Sequence, residues 1–191
     1  MGIDTNRTVR GDCSEPTSLA ILAQPLEFIH DDHLRERHIC TMIDEIAQRR
    51  AEEGAVRAVL NFLTHELPLH LQDEEEDIFP LLMQRCEPED EIERAISKLT
   101  VDHAHAGADI PKIVEILERL EVQDTEPNES ESMALTHFTA HSRRHLILKN
   151  AVILPLARAR LTDADLNNLS IQMCQRRSVK PPQETPHEEH D

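Results

Sequence analysis

Aromatic residues and glycine are scarce in this chain of 191 residues, which has no Trp, no Tyr, four Phe and four Gly. So few aromatic residues argue against a β-sandwich, because strands favour aromatic and β-branched side chains. Neither familiar glycine-rich phosphate-binding pattern occurs. The chain also lacks the Tyr and Trp side chains that carry radicals in some metalloenzymes.

Basic charge and long apolar runs are lacking as well. The chain has 37 acidic and 20 basic side chains, which gives a formal net charge of -17. Nucleic-acid binding needs a basic face against the phosphates, so we expect no nucleic-acid partner. No apolar run reaches the roughly 20 residues of a membrane span, so we expect no membrane partner. The length and the apolar fraction of 39% predict a globular domain of ordinary size.

The cysteines lie far apart, at positions 13, 40, 86 and 174, and form no C-x-x-C pair. This spacing favours reduced thiols over a disulfide framework or a zinc ribbon. The apolar stretch 17–23 is too short for a secretory signal, and acidic residues precede it where such a signal has basic ones. We therefore expect a cytoplasmic protein.

Apolar residues recur with helical spacing in four long stretches. The first begins near Pro25 and ends at Gly54, and the second covers residues 55–85, with bends or a break at Pro68 and Pro80. The third starts at the acidic, proline-led residues 87–90, and a turn at 124–128 separates it from the fourth. A short fifth helix follows Thr162, which we expect to be its N-cap.

Long amphipathic helices with short connections predict an all-α fold, an antiparallel up-down-up-down four-helix bundle with a short C-terminal fifth helix. The bundle should cover residues 19–177. Residues 1–18 are polar and aperiodic and should form a flexible lead-in, and residues 178–191 are rich in proline and charge and should form a disordered tail.

Six polar residues interrupt the apolar stripes of these helices. They are His33, His70, Glu74, His103, His141 and His145. Counting residues from the predicted turns places them at one level of the bundle to within roughly 8 Å. A single buried His is more often a hydrogen-bonded core residue than a ligand, but a buried cluster without a metal would be costly. The pattern therefore predicts a metal site.

The other polar positions are predicted to lie on the surface or at the rim of the bundle and to take no part in the metal site. The acidic run 73–77 is predicted to be a solvated helix face, apart from Glu74. Surface or rim positions are expected for His38, His65, His105 and His137, and stray metal binding at most for His187 and His190.

Four segments resemble the hemerythrin-like, or HHE cation-binding, family, most of all its stand-alone bacterial members. The segments are PLEFIHDDHLRERHIC, LPLHLQDEEEDIFPLL, KLTVDH and SRRHLILKNAVILPLARARLT. The resemblance runs from about Pro25 to Arg177 and implies a four-helix bundle around a non-heme, usually di-iron, centre. It implies terminal imidazole ligands at the positions His33, His70, His103 and His145, and a bridging carboxylate at Glu74.

Lys149 departs from the family pattern. The fourth helix of the family carries His-x3-Glu, whereas here Lys149 follows His145 at that spacing. An ammonium removes a bridging ligand and repels a cation. Two outcomes stay open: His141 supplies an additional imidazole, or Lys149 pairs with Glu74 in an empty or single-metal site. We expect one iron per chain or none.

The donor set suits iron, with manganese or zinc as alternatives. Three functions follow: iron handling with binding or sensing of dioxygen or nitric oxide, repair of damaged iron centres under stress, or a degenerate metal-free bundle that acts as an interaction module. We favour the first. No Ser/His/Asp or reactive Cys arrangement can be placed, so we expect a binding protein rather than an enzyme.

Overall fold

The structure, a computed structural model, describes residues 15–181, and all regular elements within this range are helical. Most of the predicted lead-in and tail, and with them Cys13, His187 and His190, lies outside the described residues. The domain boundaries at 19 and 177 therefore stay predictions. Between residues 15 and 181, no helix is both long and apolar enough to cross a membrane.

The first long helix, α1, covers Pro25–Ala47. Its start at Pro25 agrees with the prediction, but the expectation that Gly54 ends it was wrong. The helix ends seven residues earlier, and Arg49 adopts a left-handed φ of 58° in the loop. Gly54, with a φ of 82°, directly precedes the next helix, where a glycine takes this conformation without a steric penalty.

The second long helix consists of three α-helical segments joined by two π turns. The segments are α2 (Ala55–Asn61), α3 (Leu67–Gln72) and α4 (Phe79–Arg85), and the π turns are Phe62–Glu66 and Asp73–Ile78. Pro68 and Pro80, where we expected bends or a break, are each the second residue after a π turn. A π turn shifts the hydrogen-bond register, which accommodates the missing N–H of proline without ending the helix.

The third long helix, α5, covers Ile92–Gln123 and continues through Pro111. Its predicted start at residues 87–90 was wrong. Pro88–Asp90 form a separate 3-10 turn, closed by reciprocal bonds between Glu87 and Asp90. Glu91 then takes a left-handed φ of 50°, which interrupts the helical path before Ile92.

The fourth long helix and the C-terminal helix have the predicted order. Helix α6 (Glu129–Leu148) starts from Asn128, whose side chain accepts a bond from the Glu131 amide. A third π turn, Lys149–Ile153, connects it to α7 (Leu154–Arg160). Helix α8 (Asp163–Arg176) is capped by Thr162, as predicted.

The all-α bundle is confirmed. Helix α1 packs against α2 and α6, and α5 packs against both of these. Two apolar clusters fill the interior: one contains Ile29 and Leu99, and the other contains Ile39 and Ile113. Since α1 passes from the first cluster to the second between Ile29 and Ile39, and α5 does so between Leu99 and Ile113, the polar residues of both helices lie between the clusters.

Candidate metal centre

Glu74 is the fully buried carboxylate between these apolar clusters, and it lies in the π turn Asp73–Ile78. Three imidazoles from three different helical segments contact it. Oε1 of Glu74 is 3.4 Å from Nε2 of His33 and 3.5 Å from Nε2 of His70. Oε2 is 3.4 Å from Nε2 of His103. Donors on one tetrahedral ion are separated by about 3.3 Å, so these spacings suit a shared cation. We call these four residues the Glu74 centre.

The outer nitrogen of each of these imidazoles has its own hydrogen-bond partner. Nδ1 bonds to Asn150 Oδ1 in His33, to Asp32 Oδ2 in His70 and to Glu75 Oε1 in His103, at 3.2, 3.2 and 2.7 Å. An acceptor at Nδ1 holds the proton on that nitrogen and directs Nε2 inward, which is the arrangement of metal-ligating histidines. Nε2 of His103 is buried and has no hydrogen-bond partner.

Lys149 enters this group from the third π turn. Its Nζ lies 2.6 Å from Oε2 of Glu74 and 3.5 Å from Nε2 of His70, and its side chain is as buried as theirs. The pairing with Glu74, one of the two outcomes left open by the sequence, is therefore present in the structure.

Burial and neighbouring charge shift the pKa values of Glu74 and Lys149 in opposite directions. Burial alone would raise the pKa of Glu74, but the ammonium of Lys149 and then His70 hold this pKa well below its usual range. Burial alone would lower the pKa of Lys149, but Glu74 raises it. Both partners are therefore charged at neutral pH, a state that is stable in the interior only while the pair is intact.

The imidazoles of the centre differ in protonation. Burial lowers the pKa of His33 to about 4 and also lowers that of His103, so both rings are neutral at pH 7. Burial opposes protonation of His70 too, but Glu74 and Asp32 raise its pKa to about 10. Without an ion, His70 therefore carries a second proton, which an incoming cation has to displace.

A second group of donors lies beside the Glu74 centre, between α5 and α6. It consists of Asp102, His141 and His145, which each offer an atom within 4.8 Å of the other two. Nε2 of His145 is 3.3 Å from Oδ2 of Asp102, and the rings of His141 and His145 are 4.0 Å apart. Burial, followed by His141, lowers the pKa of His145 to about 3, so this ring is neutral. We call this group the Asp102 triad.

The six residues singled out from the sequence thus fall into two neighbouring groups. His33, His70, Glu74 and His103 form the Glu74 centre, and His141 and His145 lie in the Asp102 triad. The rings of His103 and His145 are 6.4 Å apart and connect the two groups. The ligand role of each residue stays a prediction.

Asp102 and Glu36 are buried carboxylates that the sequence pattern did not single out. Asp102 immediately precedes His103 and follows Lys98 by four residues, a spacing typical of an exposed ion pair on a helix. Glu36 lies one turn after His33 on the same face of α1, a spacing that could have revealed it. Its Oε2 is buried without a hydrogen-bond partner, and burial raises its pKa against the opposing charge of Lys149.

The interpretation of the run 73–77 as a solvated face was wrong for Asp73, which is fully buried. Its carboxylate accepts hydrogen bonds from Arg176 at the end of α8 and from Arg177, whose Nη2 lies 2.6 Å from Oδ2. Helix α8 therefore covers the outer side of the π turn that carries Glu74. The contact joins residues more than a hundred positions apart, which a local pattern does not reveal.

A comparison with protein families matches residues 24–157 to the family described as the hemerythrin HHE cation binding domain. This range includes the Glu74 centre, the Asp102 triad and Lys149. A comparison with curated proteins finds no match.

Proposed function

The chain belongs to the hemerythrin HHE cation-binding family, and from this membership we propose that the Glu74 centre holds non-heme iron and binds a small diatomic ligand, dioxygen or nitric oxide. Cation binding follows from the family. The choice of iron and of a diatomic ligand is the proposal, and iron content and absorption under controlled gas test it.

One observation carries the proposal: each imidazole around Glu74 is bonded on its outer nitrogen and directs the inner one at the carboxylate. Such outer bonds orient ligating histidines and raise their basicity. Nε2 of His103 is buried without a partner, an arrangement that a cation would relieve. The mixture of nitrogen and oxygen donors suits iron better than a hard, oxygen-seeking ion such as magnesium.

The protein's own residues would hold the ion and keep bulk water away. All four side chains of the centre are almost completely buried, and the Phe79 ring stacks on His103 with ring centres 5.9 Å apart. Ferrous iron, when bound, would supply affinity for a diatomic ligand. The proton that a cation would displace from Nε2 of His70 faces Glu74, while Asp32 keeps its bond to Nδ1 and holds the ring in place.

Iron content and absorption test the proposal directly. Protein purified from iron-supplemented cells should contain iron and should change its absorption on exposure to dioxygen or nitric oxide under controlled gas. Because the chain has no Trp and no Tyr, charge-transfer bands should stand out in the near ultraviolet. Glu74→Gln should remove most of the iron. Glu76→Gln changes the same residue type two positions further along, where the side chain is 59% exposed, and should retain it. Parent protein without iron would contradict the proposal.

The ion pair between Lys149 and Glu74 favours a second candidate, a metal-free bundle that acts as an interaction module. The ammonium compensates the charge of the buried carboxylate without any metal ion. Thermal unfolding in the presence and absence of ferrous iron separates the two functions. A bound ion raises the melting temperature by mass action, whereas a metal-free bundle shows no shift.

A further inference from the structure

The Asp102 triad is a group of donors separate from the Glu74 centre, because its three ligand atoms lie within 4.8 Å of one another and Nε2 of His145 contacts the carboxylate of Asp102. The distance of 3.3 Å between Nε2 of His145 and Oδ2 of Asp102 equals the separation of two donors on one tetrahedral ion, which is about 3.3 Å. Two imidazoles and one carboxylate are a ligand set that binds iron, zinc or manganese with coordination positions left open.

The backbone around the triad is regular. His141 and His145 are four residues apart within α6, so they project from one face, and Asp102 lies opposite on α5. Regular helices hold donors in fixed positions better than loops do, because neighbouring side chains lock their rotamers. The spacing H-x3-H on one helix is the spacing used by helical zinc sites.

The two Nε2 atoms at this position lack hydrogen-bond partners, whereas Nδ1 of His141 lies 3.4 Å from Nη2 of the exposed Arg144. Nε2 of His145 and Nε2 of His141 are both buried and have no hydrogen bond, and His145 as a whole is only 5% exposed. Buried polar atoms are nearly always bonded in folded proteins, so two neighbouring exceptions that face a carboxylate point to an absent partner. A divalent cation between them would satisfy both nitrogens and the carboxylate.

The positive charges near the two groups differ in one decisive respect. At the Glu74 centre the ammonium of Lys149 is almost completely buried, so a cation binds there only by displacing a charge that has no path to solvent. At the triad, Lys98 pairs with Asp102 at 2.7 Å, but its side chain is 62% exposed. An ion pair with one partner in solvent contributes little to stability, so Lys98 can move into solvent when a cation binds.

We propose that Asp102, His141 and His145 form a second, mononuclear binding site for a divalent transition-metal ion, and that this site fills without displacement of Lys149. The site does not depend on the Glu74 centre. Asp102 serves as the carboxylate ligand that the fourth helix of this chain lacks at position 149.

Titration of the metal-free protein with Co²⁺ tests the site, because the visible spectrum of Co²⁺ reports its ligands. Asp102→Asn and His141→Gln should each lower the affinity for one Co²⁺ ion at least tenfold and change the visible spectrum of that ion. Asp109→Asn alters an exposed Asp on the same helix and should bind as the parent does. His33→Gln removes an imidazole from the Glu74 centre alone and should leave the affinity of the Asp102 triad for Co²⁺ unchanged.

The outcomes separate this site from the proposed function. If Asp102→Asn and His141→Gln bind Co²⁺ with the affinity of the parent and His33→Gln does not bind it, the triad site is overturned. The same result supports the Glu74 centre. An ion that is lost in both triad variants and kept in His33→Gln supports the triad. A parent that binds no Co²⁺ overturns both. Far-ultraviolet circular dichroism verifies folding, and the half-buried His141 provides the test if the Asp102 variant unfolds.

Discussion

Lys149 forms an ion pair with Glu74 in the interior of the bundle, with 2.6 Å between Nζ and Oε2. The two residues come from opposite parts of the chain, and each lies in a π turn, Glu74 within Asp73–Ile78 and Lys149 within Lys149–Ile153. Removal of one partner from a buried pair typically costs about 3–5 kcal/mol, because the other charge remains without compensation. The pair is therefore both a structural element and a barrier to cation binding at Glu74.

Lys149→Glu should replace the ammonium that opposes cation binding with a carboxylate that can bind a cation. Without metal, two buried carboxylates would face each other, so the melting temperature should fall. Iron should then bind more tightly than in the parent, raise the iron content toward two per chain and restore the melting temperature through linkage. Elemental analysis and thermal unfolding with and without iron measure both effects.

Lys112→Glu makes the same charge change at an exposed position of α5 and should leave the iron content unchanged. Two tightly bound irons in the parent would show that Lys149 does not block the centre. A variant Lys149→Glu that stays free of iron would favour the metal-free bundle.

His103→Ala should weaken iron binding at least tenfold, since the centre loses one of three imidazoles and the loss even of an outer partner costs 10–100-fold. The iron-dependent absorption should decrease in parallel. The control is His105→Ala, which removes an exposed imidazole two residues along the same helix. Equal iron content in parent and His103→Ala would show that His103 is not a ligand.

Asp73→Asn should lower the free energy of unfolding by about 2–4 kcal/mol, because Arg177 would lose its buried charge partner. Arg176 would keep its bond to Asp77. Urea unfolding followed by circular dichroism measures the change. Glu76→Gln removes an exposed partner of the same Arg176 and should cost less than about 0.5 kcal/mol. Equal effects of the two substitutions would argue against a special role of Asp73 in holding α8.

Asp165→Asn should destabilise the start of α8 by about 1 kcal/mol at neutral pH, the usual contribution of a helix cap. Asp165 accepts bonds from Arg85 and from the backbone of Thr162, and these bonds hold its pKa well below the ordinary 3.8. A lowered pKa stabilises the fold above the unfolded value, and this contribution is lost as pH falls through the folded value.

The difference between parent and Asp165→Asn should therefore stay constant above about pH 5 and shrink below pH 3.8. Unfolding in urea at a series of pH values provides the comparison. Asp163→Asn, at an exposed position in the same first turn, should show no such dependence on pH. A difference that grows toward low pH would contradict the assigned bonds.

Local signals in the sequence were sufficient for the helix starts that depend on neighbouring residues. Pro25 begins α1 and Thr162 caps α8, because fixed φ and side-chain capping act over only a few positions. The start of α5 was misplaced because Glu87 and Pro88 give the same signal for a 3-10 turn as for an α-helix. Only the left-handed φ of Glu91 separates them.

The candidate site was predictable in part for the same reason. Spacing along helices placed His33, His70 and His103 at one level, and the structure brings them to Glu74. Spacing did not reveal that His145 faces Asp102, because the rotation of α6 against α5 depends on packing across the whole bundle. The burial of Asp73 likewise depends on α8 folding back over a distant segment.

The π turn Asp73–Ile78 has a consequence for insertions and deletions. A regular α-helix advances by about 100° per residue, so the loss of one residue from this turn would rotate everything beyond it by about that angle. His70 would keep its direction, but Leu82 would leave the apolar interior that it now fills with 0% exposure. The one extra residue of this π turn therefore sets the rotation of the segment that packs into the core relative to the segment that carries His70.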